Sequence, residues 1–125
     1  RLAKEVFLFA TFFKSSKFIK FIKFIQPINV NNQYIKYRLP SLKSDIYLIK
    51  WLPRTSTDYH DHSGQICDFI LLSNKNLKEF RKNKQSEVSL QTIEPFKKYT
   101  INDLIGTHKI MNIHNTIKWS LHRYY

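Results

Sequence analysis

The sequence predicts an all-β domain of many short strands behind a helical N-terminal segment. Three observations carry this expectation. Short runs rich in β-branched and aromatic residues recur from residue 34 onward, with Ser, Asn, Gly and Pro between them. The chain has 125 residues, enough for one core and short for two, with no internal repeat and no flexible linker. A hydrophobic content of 42% excludes wholesale disorder, and only 2 glycines exclude collagen-like and Gly-rich classes. One domain over residues 1–125 follows, a sandwich or barrel over 28–125 after a helix over 1–26.

In residues 1–26, Lys14, Lys17, Lys20 and Lys23 recur every third position with Phe-Ile pairs between them. On a helix each step of three falls about 60° short of a full turn, so the lysines form a drifting stripe. Pro27 ends the segment, which is too apolar to stand alone and is expected to pack on the outside of the domain. A basic face opposite Phe and Ile would also suit a membrane surface. The first residues resemble a weak signal peptide, but Glu5 and the lack of a small-residue cleavage site oppose that reading. Strands are expected at 34–39, 46–52 and 66–72, then at 87–93, 109–112 and 118–125. The charged stretch 77–84 reads as a strand end and exposed loop.

Charge narrows the partners. The chain carries 21 Lys+Arg against 9 Asp+Glu, a net +12 concentrated in its first 50 residues. A basic balance raises nucleic acid or a membrane surface as partners. No RNP signature, zinc knuckle or Gly-rich phosphate loop accompanies it, so the lysines are read as a solvated surface and neither partner is expected. The lone cysteine, Cys67, has no intramolecular partner, which indicates a reducing, cytoplasmic setting. No apolar run approaches the length of a membrane-spanning helix.

The chemistry-bearing residues are histidines. In His60-Asp61-His62 two imidazoles stand two apart, which on a strand puts both on one face. His108 follows a Gly-Thr turn and could complete a facial set of three nitrogens. Such a set, with no carboxylate, suits Fe(II) or Zn with open positions; a surface pair and a turn histidine are the plain alternatives. In the tail, Ser120, His122 and Tyr124 alternate and would share one strand face. That row can relay hydrogen bonds and position a phenol, or be simply the wet face of a half-buried strand. Nucleophilic catalysis by Cys67 fits poorly, since no oxyanion-type Gly motif presents it.

Three segments in one order resemble the cysteine dioxygenase family of cupins. They are W-L-P-R-T-S-T-D-Y-H-D-H-S-G-Q-I-C at 51–67, Y-T-I-N-D-L-I-G-T-H-K-I-M-N at 99–112 and S-L-H-R-Y at 120–124. Pro53, Arg54 and Thr55 stand where the family has glycines before the H-x-H. The resemblance implies an antiparallel jelly-roll barrel and an Fe(II)-dependent thiol dioxygenase, converting L-cysteine and O2 to cysteine sulfinate. It implies Fe(II) on His60, His62 and His108, and the substrate carboxylate on Arg38, beside Tyr37. It also implies that Cys67 and Tyr124 meet beside the iron and can join as a thioether, with His122 and Ser120 behind the phenol. The partners are then a small thiol and O2, and the chain is read as a monomer. A dioxygenase for another small thiol, such as 3-mercaptopropionate, and a non-catalytic metal-binding or interaction cupin remain as alternatives.

Overall fold

The computed structural model describes residues 26–40 and 45–125. The helix expected over 1–26 lies outside the described residues. The rest is strand and turn. The strands are β1 (Pro27–Val30), β2 (Tyr34–Leu39), β3 (Asp45–Trp51), β4 (Thr55–Ser56) and β5 (Cys67–Leu71). They continue as β6 (Leu77–Lys82), β7 (Val88–Ile93), β8 (Lys98–Ile101), β9 (Thr107–Asn112) and β10 (Lys118–Tyr124). They form a six-stranded sheet in the order β1-β2-β3-β10-β5-β8 and a four-stranded sheet in the order β4-β9-β6-β7. Every strand pair is antiparallel.

The two sheets face each other across a core that includes Ile49, Trp51, Phe69, Leu71, Leu77, Ile93, Ile101 and Ile110. Burying each such aliphatic or aromatic side chain contributes about 1.5–3 kcal/mol. β5 is buried along its whole length, because the other face of the first sheet also buries Leu48, Ile70 and Leu121. β5 therefore carries apolar residues on both faces, and its one buried charge, Asp68, accepts from Thr100 Oγ1 at 2.6 Å and Arg123 at 3.2 Å.

Two departures from the sequence reading matter for the site. The stretch expected to be a strand end and exposed loop is β6, an inner strand of the second sheet between β7 and β9. Its inward positions are Leu77 and Glu79, both fully covered. The structure also adds β1, β4 and β8, whose runs are too short or too polar to announce strands; partners across the sheet make them so.

Gly106 sets the entry to β9. Its φ is +135°, and a Cβ there would lie 2.0 Å from the Lys82 carbonyl oxygen and 3.0 Å from Asn83 Cα. Gly64 has φ +80° but open space around the missing Cβ. Gly106→Ala is therefore expected to cost about 2–4 kcal/mol, strain and backbone clash together, and Gly64→Ala only about 1–2 kcal/mol. Urea denaturation of the two variants checks the order; equal midpoints would remove the clash as the cause.

Candidate metal centre

The centre assembles from two short segments. His60 and His108 are bridged antiparallel, each backbone N–H donating to the other's carbonyl at 3.0 and 3.2 Å. Directly opposed residues share a face, so both rings point inward. His62 follows two positions on and joins them. A tight turn after it, with Ser63 and Gly64 both at positive φ and a Gln65 N–H to His62 carbonyl bond of 2.9 Å, redirects the chain into β5. Asp103 holds that turn, accepting from the His62 and Gly64 backbone N–H groups at 2.8 and 2.7 Å.

The three rings converge through their Nε2 atoms. His62 and His60 each bring Nε2 to 3.1 Å from Nε2 of His108, and the three ligand atoms lie within 4.8 Å of one another. The outward nitrogens decide the tautomers. His60 Nδ1–H donates to the Asp58 carbonyl at 3.0 Å and His108 Nδ1–H to the Glu79 carboxylate at 2.7 Å, leaving both Nε2 lone pairs bare. His62 Nδ1 is buried without a partner, 4.0 Å from Asp103 Oδ1. Burial, with His108 and His60 beside it, pushes the His62 imidazole down to about 4, and burial also lowers His108. Ring nitrogens brought this close with lone pairs facing one another repel unless a cation lies between them. The donor set therefore fits a divalent transition metal bound on one face.

Glu79 was missed in the sequence, where it sat in a stretch read as exposed. It is fully buried and accepts from His108, from Arg81 Nε at 2.7 Å and from Gln91 Nε2 at 3.2 Å. Burial favours its neutral form, but the bonds from His108 and Arg81 outweigh this and keep its carboxyl below the ordinary value. The result is a carboxylate–histidine pair that orients a metal ligand. The alternation of Leu77, Glu79 and Arg81 was the one available sequence signal.

The tail row is carried by β10 at the centre of the first sheet. Ser120 lies opposite Leu71 and Ile49, His122 opposite Phe69 and Tyr47, and Tyr124 opposite Cys67. All of these face the interior. Trp51 Nε1–H donates to Ser120 Oγ at 2.7 Å, and Ser120 Oγ bonds His122 Nε2 at 2.7 Å. His122 Nδ1 lies 3.7 Å from Cys67 Sγ. Burial drives His122 well below its ordinary value, so the ring is neutral and relays whichever proton its neighbours fix. Burial pushes the Cys67 thiol up to about 12, opposed by a hydrogen bond from Tyr124, and burial raises the Tyr124 phenol too. At neutral pH both keep their protons.

A cavity of about 430 Å³ opens onto the three histidines, walled by Tyr34, Tyr47, Trp51, Tyr124 and Lys36. Here the sequence assignment needs correcting. Tyr37 lies on the opposite face of β2, its ring 6.3 Å from Trp119, because successive strand residues alternate. Arg38 shares the inward parity but lies one pleat further on. It turns outward to Asp45 Oδ1 at 2.9 Å and is 61% exposed. The cation that lines the cavity is Lys36, with its ammonium 4.2 Å from the Tyr47 ring centre and 4.9 Å from that of Tyr124. Burial lowers its pKa, partly offset by Cys67.

The fold recurs in solved structures. Capsular polysaccharide assembling protein CapF from Staphylococcus aureus superposes with a TM-score of 0.65 at 18% identity, over 82% of this chain and 29% of that one. A Lactobacillus farciminis oxalate decarboxylase formate complex gives 0.69 at 13% identity, over 82% of this chain and 31% of the other. The Drosophila melanogaster CENP-C cupin domain gives 0.66 at 8% identity, over 82% and 76%. This chain thus spans less than a third of the first two, and at these identities the likeness is one of fold, the cupin fold. No curated protein matches the sequence significantly. The family model described as cysteine dioxygenase type I, in contrast, matches residues 15–125, which take in all three histidines, Cys67 and the whole β10 row. The chain belongs to the cysteine dioxygenase type I family.

Proposed function

We propose that this protein is an Fe(II)-dependent dioxygenase of small thiols, with L-cysteine as substrate and cysteine sulfinate as product. The observation that carries the reading is the convergence of three imidazole Nε2 atoms at the head of a cavity that holds the Lys36 ammonium and the Tyr124 phenol. Both atoms of O2 end on sulfur, which moves from thiol to the sulfinic rung of its oxidation ladder. Iron on the three nitrogens would supply the Lewis acidity that ionises the thiol and the electrons that activate O2.

The side chains do the rest. Lys36 takes the substrate carboxylate, and its ammonium is already held over Tyr47 and Tyr124, which limits the search for that contact. Tyr124 keeps its proton and presents a donor toward the reacting sulfur and oxygen. Trp51, Ser120 and His122 lock the β10 row behind it. Trp51 and Tyr34 help wall the cavity with apolar surface that excludes water.

Oxygen uptake by iron-loaded protein with cysteine, 3-mercaptopropionate and cysteamine tests the reading. One O2 consumed per sulfinate formed, fastest with cysteine, is the expected result. An iron-loaded, folded protein that consumes no O2 with any thiol would leave a metal-binding cupin instead. The opposed Cys67 and Tyr124 carry a further expectation. Loss of one hydrogen from the thiol and one from the phenol ring, with two electrons passed to O2, would join them as a thioether. Turnover is then expected to lower the intact mass by about 2 Da, and Cys67→Ser to abolish the change.

A further inference from the structure

The far end of β10 carries a second cluster that the metal centre does not use. Lys118 is only 5% exposed. Its ammonium donates to Thr116 Oγ1 at 2.6 Å and has no carboxylate partner among the described residues. The charge it feels most is another cation, Lys75. Both line a cavity of about 570 Å³ together with Ser73, Thr116, Leu72 and Ile117. Phe96 stands at the same cavity with φ +58°, a left-handed backbone that bulky side chains rarely adopt. Six residues of extended strand, about 20 Å, separate Lys118 from Tyr124 at the metal end.

A lysine packed along its stem that shares a cavity with a second lysine, and has no carboxylate near, gains from an anion between them. Burial, then Lys75, lowers the pKa of Lys118, as expected of a cation lacking its counter-charge. The remaining N–H groups of Lys118 and those of Lys75 are donors without a protein carboxylate, and the Ser73 and Thr116 hydroxyls lie among them. Leu72, Ile117 and Phe96 provide an apolar wall next to these donors. Backbone strain of the Phe96 kind is concentrated at ligand clamps.

We propose that Lys75 and Lys118, with Ser73 and Thr116, form a binding site for a small oxyanion bearing a short apolar tail, remote from the metal centre. The head group is a carboxylate or a phosphate; two lysine point charges and two hydroxyls serve either. The tail lies against Leu72 and Ile117.

Trp119 lines the cavity, so tryptophan fluorescence reports its occupancy. Inorganic phosphate, butyl phosphate and butyrate would be titrated into the purified protein at constant ionic strength set with chloride. Saturable binding is expected, tighter for a tailed anion than for inorganic phosphate, and the tighter tailed arm identifies the head group. Lys118→Met should weaken it at least tenfold, while Lys118→Arg, which keeps the charge, should bind nearly as wild type. Chelator-stripped protein should bind as well as metal-loaded protein. Equal affinity in a folded Lys118→Met variant, a response that never saturates, or binding that disappears with the metal would each overturn the site.

Discussion

Glu79→Gln is expected to loosen metal retention about 10–100-fold, the usual effect of removing a carboxylate behind a ligating histidine. Glu79 is fully buried and accepts the His108 Nδ1 proton at 2.7 Å, which both orients the ring and raises the basicity of Nε2. Glutamine keeps the shape and one acceptor oxygen but loses the charge. His108→Ala, which removes a ligand outright, should retain no metal. Metal content per chain after competition with a graded chelator separates the two. The fold answers differently. Arg81, only 18% exposed, also depends on Glu79, so Glu79→Leu is expected to cost about 3–5 kcal/mol by stranding a half-buried guanidinium. A Glu79→Gln protein that binds metal as tightly as wild type would reduce Glu79 to a purely structural role.

Lys36→Met is expected to raise the KM for cysteine about 30–160-fold, the equivalent of a charge-assisted bond of ~2–3 kcal/mol. The same change should leave cysteamine, which lacks a carboxylate, nearly unaffected. Arg38→Met should leave both constants alone, because the guanidinium is spent on Asp45 at the surface. The two variants form an internal control, since both are substitutions on β2 and differ only in which charge reaches the cavity. An unchanged KM in Lys36→Met would remove the lysine from substrate binding, whatever the fate of the dioxygenase reading. Lysine also differs from arginine in kind. It offers a point charge in place of a planar fork, so it fixes the position of a carboxylate better than its orientation.

Much of the site was legible because its logic is local. The i, i+2 spacing of His60 and His62, and the alternation of Ser120, His122 and Tyr124, follow from the two-residue period of a strand and need no partner to be read. The all-β class followed likewise from short β-branched and aromatic runs between turn residues. What local spacing by itself leaves open is settled between strands. That Cys67 faces Tyr124, and that His108 faces His60, depends on registers between segments about 50 residues apart. Arg38 and Lys36 have the same parity on β2, so periodicity could not distinguish them; only the position of Asp45 and the extent of the cavity along the strand did. Glu79 illustrates the strongest override. A glutamate amid lysines and arginines reads as solvent-exposed by composition, yet its strand lies between two others, its face turns inward, and His108 and Arg81 supply the donors that make a buried carboxylate tolerable. Local spacing determined which residues could act together. Cross-strand register and burial, which no linear period encodes, decided which of them do.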